Sequence, residues 1–151
     1  MFLKMQYFLL RPTIIIICIL LIGCAKNKDE PEPTPQPSQG SFTWQPTPGP
    51  GVTADSAHYY HAFTTIYAFK NGNLNSLAIT LYPLTVGTYT FSSISGNELK
   101  FTKDSKTYNA VSGSCNITEA ANNKLSGNFY VNFSGGAITA LSGNFTDIPG
   151  R

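Results

Sequence analysis

The chain has 151 residues and a nearly balanced charge, with 10 Lys and Arg against 8 Asp and Glu for a formal +2. Lys4 and Arg11 lie in a segment expected to be removed, which brings the mature chain close to neutrality. A neutral chain has no basic field with which to release counterions, which argues against a nucleic-acid partner.

In chain order, the first predicted element is the apolar run from Ile14 to Ile22, preceded by Lys4 and Arg11. It has about half of the roughly 20 apolar residues that a membrane span needs, and it reads as the core of a secretory signal over residues 1–23. The alternative is an uncleaved anchor helix extended by Tyr7 to Leu10, which Arg11 and Pro12 interrupt. The run closes on Leu21-Ile22-Gly23-Cys24, a small residue and then a cysteine. This resembles the lipobox of bacterial lipoproteins. The resemblance implies that Cys24 receives a thioether-linked diacylglyceryl group and, after cleavage, an acylated amine. Each buried methylene adds about 0.8 kcal/mol, so three acyl chains hold a protein on a membrane in effect permanently. Of the three cysteines, Cys18 leaves with the signal and Cys24 carries lipid, so Cys115 has no intramolecular partner.

Residues 24–40 follow as the lipidated cysteine and a tether. Prolines alternate from Pro31 to Pro37 with no apolar period, a composition that cannot build a core. It favours polyproline II at about 3.1 Å per residue, a stand-off of up to roughly 30 Å. Lys28-Asp29-Glu30 is similar to the short lysine-plus-acidic signal that sends Bacteroidota-type lipoproteins to the outer face of the outer membrane. The resemblance implies surface display; the alternatives are a solvated charge run and the periplasmic face.

Residues 41–151 read as a single all-β domain. Short runs of Thr, Tyr, Phe, Ile and Val are split by Asn-Gly, Gly-Gly, Asn-Asn and Pro. Strands are predicted at 41–45, 53–60, 63–70, 76–82, 88–92 and 98–102, with turns at Asn71-Gly72-Asn73 and Gly96-Asn97. Three further strands share one design. Residues 125–133 alternate apolar or Gly with polar, residues 111–118 repeat the pattern, and Leu141-Ser142-Gly143-Asn144-Phe145 copies Leu125-Ser126-Gly127-Asn128-Phe129. Period two means one buried face, which points Cys115 inward as an inert thiol with no basic neighbour in sequence. A hairpin at Ser134-Gly135-Gly136 pairing Phe133 with Ala137 sets Gly127 opposite Gly143 and Phe129 opposite Leu141. About nine short strands in order predict an antiparallel meander that forms a β-sandwich or a closed β-barrel.

Trp44, Thr53-Ala54-Asp55-Ser56-Ala57, Thr65-Ile66-Tyr67-Ala68, Gly87-Thr88-Tyr89, Ser112-Gly113 with Ile117-Thr118, Leu125-Ser126-Gly127 with Phe129, and Gly143-Asn144-Phe145 ending in Asp147-Ile148 stand in a telling order. Together they resemble a family of Bacteroidota-type lipoproteins of uncharacterised function. The resemblance covers the whole domain and supplies no catalytic residues.

Chemistry finds little to build on. His58 and His61, three apart on a strand, face opposite sides and share no ion. No Gly-x-Ser-x-Gly elbow is present, and Glu98, Asp104 and Glu119 read as strand-end or turn residues rather than a glycosidase pair. The expectation is a non-enzyme with no cofactor and no metal. Asp55-Ser56-Ala57 is similar to the acidic-hydroxyl-apolar triplet used for O-glycosylation in Bacteroidota-type envelopes, with Ser56 as acceptor. Among the aromatics, Trp44 shares a face with Phe42 and is expected in the core. Tyr59 and Tyr60 alternate faces, so at least one is expected to be exposed for ligand contact. The leading expectation is a membrane-anchored binding module for a glycan or an envelope protein. The alternatives are a structural envelope lipoprotein and a calycin-like carrier of an apolar ligand, the latter disfavoured by large inward Phe residues.

Overall fold

The computed structural model describes residues 40–151. The expected signal over 1–23, the lipidated Cys24 and the export residues Lys28, Asp29 and Glu30 lie outside the described residues.

The domain is all-β, with ten strands: β1 (Ser41–Thr47), β2 (Val52–Thr53), β3 (Ser56–Tyr60), β4 (Thr65–Lys70), β5 (Asn75–Thr80), β6 (Gly87–Thr90), β7 (Glu98–Lys103), β8 (Lys106–Ala121), β9 (Lys124–Phe133) and β10 (Ala140–Pro149). They form one curled antiparallel sheet in the order β2-β1-β10-β9-β8-β7-β5-β4-β3, with β6 paired to β8 beside that path. The path ends at β2 and β3, so the sheet is open. A single bridge between Tyr59 and Gly150 joins β3 to the chain just beyond β10.

Three features depart from the expected meander. The run at 53–60 is broken at Ala54-Asp55, where Ala54 N–H donates to Phe42 and Asp55 N–H to Phe69, so β2 and β3 go to opposite ends of the path. Strand β1 lies beside β10, a pairing that short-range reading does not anticipate. Strand β8 begins at Lys106, not Val111, because Asp104 and Ser105, both at positive φ, turn the chain tightly out of β7.

Strand β8 makes the corner of the curl. Its first residues pair with β7 and its later ones with β9 and β6, with an irregularity between Ala110 and Ser112. That extra residue reverses the alternation: Tyr108 points inward, Val111 is 46% exposed against expectation, and Cys115 and Ile117 point inward again. A bulge is how a strand passes from one packed layer to the next. Gly113 follows at φ +122, and a Cβ there would lie 2.6 Å from the Val131 Cα, so only glycine fits.

The core lies within the curl. Phe42 stacks on Phe145 at 5.5 Å, Trp44 meets Phe101 of β7 at 6.4 Å, and Phe101 meets Phe133 at 6.5 Å. Trp44 is buried beside Phe42, as its shared face implies. Such aromatic pairs contribute about 0.5–1.5 kcal/mol beyond their burial.

The β9–β10 hairpin keeps the expected inward face but not the expected register. Phe133 N–H donates to Thr139, so the loop runs on past Gly136, and Ala140 pairs with Asn132. Gly143 therefore stands opposite Phe129 and Gly127 opposite Phe145, with Asn128 facing Asn144 at the centre. The two copies of the repeat meet antiparallel, each glycine covered by the other copy's phenylalanine. No notch is left.

Candidate binding surface

On a one-sided sheet the outer positions are ordinarily polar. Strand β4 breaks that rule. Ile66 and Ala68 face the core, fully buried, yet the intervening Tyr67 and Phe69 on the outer face are aromatic as well. Opposite them in register on β3 stand His58 and Ser56, with Tyr60 opposite Thr65. The 3-10 turn His61–Phe63 carries Phe63, 68% exposed, onto the same patch.

Five rings gather there. His58 lies at the centre, edge-on to Tyr60 at 5.1 Å, stacked on Phe69 at 5.8 Å and 6.1 Å from Tyr67. Tyr60 meets Tyr67 at 5.9 Å and Phe63 at 6.1 Å, both edge-to-face. Tyr67 and Phe69 lie parallel within 6°, centroids 6.2 Å apart. Next to this ridge, on β5, the partners of Tyr67 and Phe69 are the small residues Ala78 and Ser76. Beyond them β7 presents Lys100, which pairs with Glu98 at 2.6 Å. The surface is an aromatic platform, a low lane and a polar rim.

His58 is itself nearly enclosed, and its Nδ1 has no hydrogen-bond partner. Loss of water, and after it the positive charge of Arg151, holds its pKa below the usual 6.5, so the ring is neutral. At the patch's border Asp55 pairs with Lys70 at 2.5 Å and accepts from the Asn71 N–H at 2.8 Å. These bonds, the Lys70 one foremost, keep the Asp55 carboxyl below its ordinary pKa.

Of the residues singled out by sequence, Tyr60 lies in the patch, half-buried. Tyr59 does not. It is 2% exposed, its ring turned into the core, so it is corrected from contact residue to structural residue. Its hydroxyl meets His61 Nε2 at 3.1 Å and donates to Asn123 Oδ1 at 3.3 Å, and burial raises its pKa. Ser56, half-buried, heads β3 on the outer face opposite Phe69. His61 lies on the 3-10 turn rather than on a strand. Glu119 lies within β8 rather than at a strand end or turn, and Glu98 opens β7. Sequence reading missed Phe63, Phe69 and His58. The signal was Thr65-Ile66-Tyr67-Ala68-Phe69, where neither face of the strand is polar.

The remaining outer surface is different in kind. Asn116, Asn128, Asn144 and Thr43 stand side by side across β8, β9, β10 and β1, and Thr88 of β6 donates to Asn116 at 3.2 Å. That row is polar without charge. Among the described residues no group of three or more His, Cys, Asp and Glu is placed to hold a metal ion.

A family model described as a domain of unknown function, DUF6252, matches residues 53–149, from the end of β2 to the end of β10. No curated protein and no solved structure matches the chain.

Proposed function

We propose that this chain, which belongs to the DUF6252 family, is a lipid-anchored lipoprotein of the outer membrane that faces the cell exterior and works as a non-enzymatic binding module. The lipobox at Cys24 and the Lys28-Asp29-Glu30 signal support the anchor and the address, and the Bacteroidota-type resemblance supports both. The two halves of the curled sheet act as the layers of a sandwich, with rings from β1, β7 and β9 in contact between them.

The observation that carries the binding reading is the aromatic outer face of β3 and β4, where solvent-facing positions hold Tyr60, Tyr67 and Phe69 around His58. Flat rings beside polar groups suit the apolar faces and hydroxyl edges of a sugar. A purely structural role would leave the outer face polar throughout. Carriage within the sheet gains no support, since Phe42, Trp44, Phe101 and Phe145 fill the interior. A glycan attached at Ser56 would emerge at the margin of the same patch.

The test is a neutral-glycan array probed with the compact unit Gln36–Arg151. Retention of one or more glycans, lost when the patch is truncated, supports the module. No retention, together with a loss of envelope integrity in cells lacking the protein, favours the structural alternative.

A further inference from the structure

We propose that the end of the domain at which the tether enters is a membrane-docking surface, where Tyr82 and Val86 rest in the headgroup layer of the bilayer that holds the anchor. The proposal rests on the lipid-anchored reading and adds to it an orientation.

Contacts fix which loops share that end. Gly40, where the tether joins, sits against the backbone of Asp147, leaving no room for a Cβ. From there β10 runs to Pro149, paired with Lys124, and Gly150 N–H donates to Asn123 at 3.0 Å. Arg151 N–H then donates to Tyr59 at 2.9 Å, and the Tyr59 hydroxyl meets His61, which opens the 3-10 turn carrying Phe63. An open hollow of about 490 Å³ is lined by Tyr59, His61, Asn123 and Leu125 together with Leu84 and Val86 of the β5–β6 connection. That connection is tied to the turn by Leu81 N–H donating to Thr64 at 3.0 Å.

The side chains there are unusually bare. Tyr82 and Val86 are 78% and 60% exposed. Residues 81–97 contain no Lys, Arg, Asp or Glu, so these loops lose no ionic hydration on meeting a lipid interface. On this end's rim Lys124 and Asp147 pair at 3.6 Å. The opposite end is built otherwise. Two of its turns carry Lys70, Lys103, Asp104 and Lys106, with Asp104 N–H donating to Leu74 at 3.1 Å. Charged side chains are present at both ends, and the uncharged connection 81–97 with its bare Tyr82 and Val86 is on the anchored one. Tyr favours the headgroup level, where its ring meets acyl chains and its hydroxyl meets water. A tethered domain needs only weak affinity to stay docked, since its anchor keeps the bilayer at high effective concentration.

The test uses the full processed chain in vesicles that contain brominated lipid, with tryptophan fluorescence read for Tyr82→Trp, Val86→Trp and Leu74→Trp. The native Trp44 is buried and common to all three. Leu74 is the control, 59% exposed at the far end. Docking is expected to quench the Tyr82→Trp and Val86→Trp chains several-fold more than the Leu74→Trp chain. Equal quenching, or stronger quenching in the Leu74→Trp chain, overturns it. The acyl mass on Cys24 is measured on the same samples. Its absence overturns the anchor alone, and docking is then decided by the same comparison on a Cys18→Ser chain coupled to a maleimide lipid through Cys24.

Discussion

Gly143 stands opposite Phe129, and the phenylalanine ring occupies the place a side chain on the glycine would take, its Cζ 2.5 Å from the ideal Cβ position. Gly127 relates to Phe145 in the same way, with Cζ at 2.7 Å. A ring laid over a cross-strand glycine covers bare backbone and pins register, a device that glycine in strands permits. Gly143→Ala is therefore expected to overpack the hairpin by about 1–3 kcal/mol, while Asn144→Ala on the exposed face costs much less. Thermal melting of the two variants checks this, and equal midpoints would remove the ring-over-glycine account.

The face of this hairpin was legible because period two needs only the alternation of Leu125, Gly127, Phe129 and Val131. Its register was not, because register depends on loop length, and the loop through Ser134-Gly135-Gly136 runs to Thr139. The class of the fold follows likewise from local signals, whereas the place of β1 beside β10 is a contact between residues about a hundred apart. Tyr59 and Tyr60 show the same limit. Alternation says that they face opposite ways, and only the curl of the sheet decides which side is the core.

Cys115 is fully buried opposite Phe129 and Tyr89, and burial pushes its thiol pKa up to about 12. A thiol is nucleophilic only as thiolate, so at neutral pH this one is inert. A maleimide reagent is expected to leave Cys115 unmodified in the folded Gln36–Arg151 unit and to label it fully in denaturant. Rapid labelling of the native unit would contradict the packing of β8 against β9.

His58 gives the domain a pH dependence with a definite sign. Its folded pKa lies below the unfolded 6.5, so the unfolded chain takes up a proton first as pH falls. The stability linked to this group is complete above pH 6.5 and is lost as pH drops below that value. His58→Phe abolishes this part of the slope and removes the unpartnered Nδ1, which is expected to raise stability at pH 5.5 by about 1 kcal/mol or more. Denaturant melts of both proteins at pH 7.5 and 5.5 decide it. An undiminished slope in the variant would assign the effect elsewhere.

For the anchor, Cys24→Ala is expected to leave an unprocessed or soluble precursor, since no thiol remains at the lipobox position to take the diacylglyceryl group. Metabolic labelling with a fatty-acid analogue reads this directly. Failure of the natural chain to take up label at Cys24 would end the lipoprotein reading and leave the β domain's surface to be explained on its own.

The binding surface makes the sharpest demand, because its rings are explained either by a ligand or by the protein's own need to cover β3. Packing alone predicts that truncation costs stability and nothing else. Binding predicts a separate loss. Tyr67 lies parallel to Phe69 near the middle of the platform, and Tyr60 joins it edge-on, so Tyr67→Ala and Tyr60→Ala should each weaken glycan retention by about 1–2 kcal/mol, roughly tenfold. Tyr130→Ala is the control: that ring is 53% exposed on β9, away from the patch, and should leave retention unchanged. Affinity measured against the best neutral glycan, at a temperature well below every variant's melting midpoint, keeps stability out of the comparison. Equal affinities for Tyr67→Ala and Tyr130→Ala would mean that the five rings around His58 serve the fold alone.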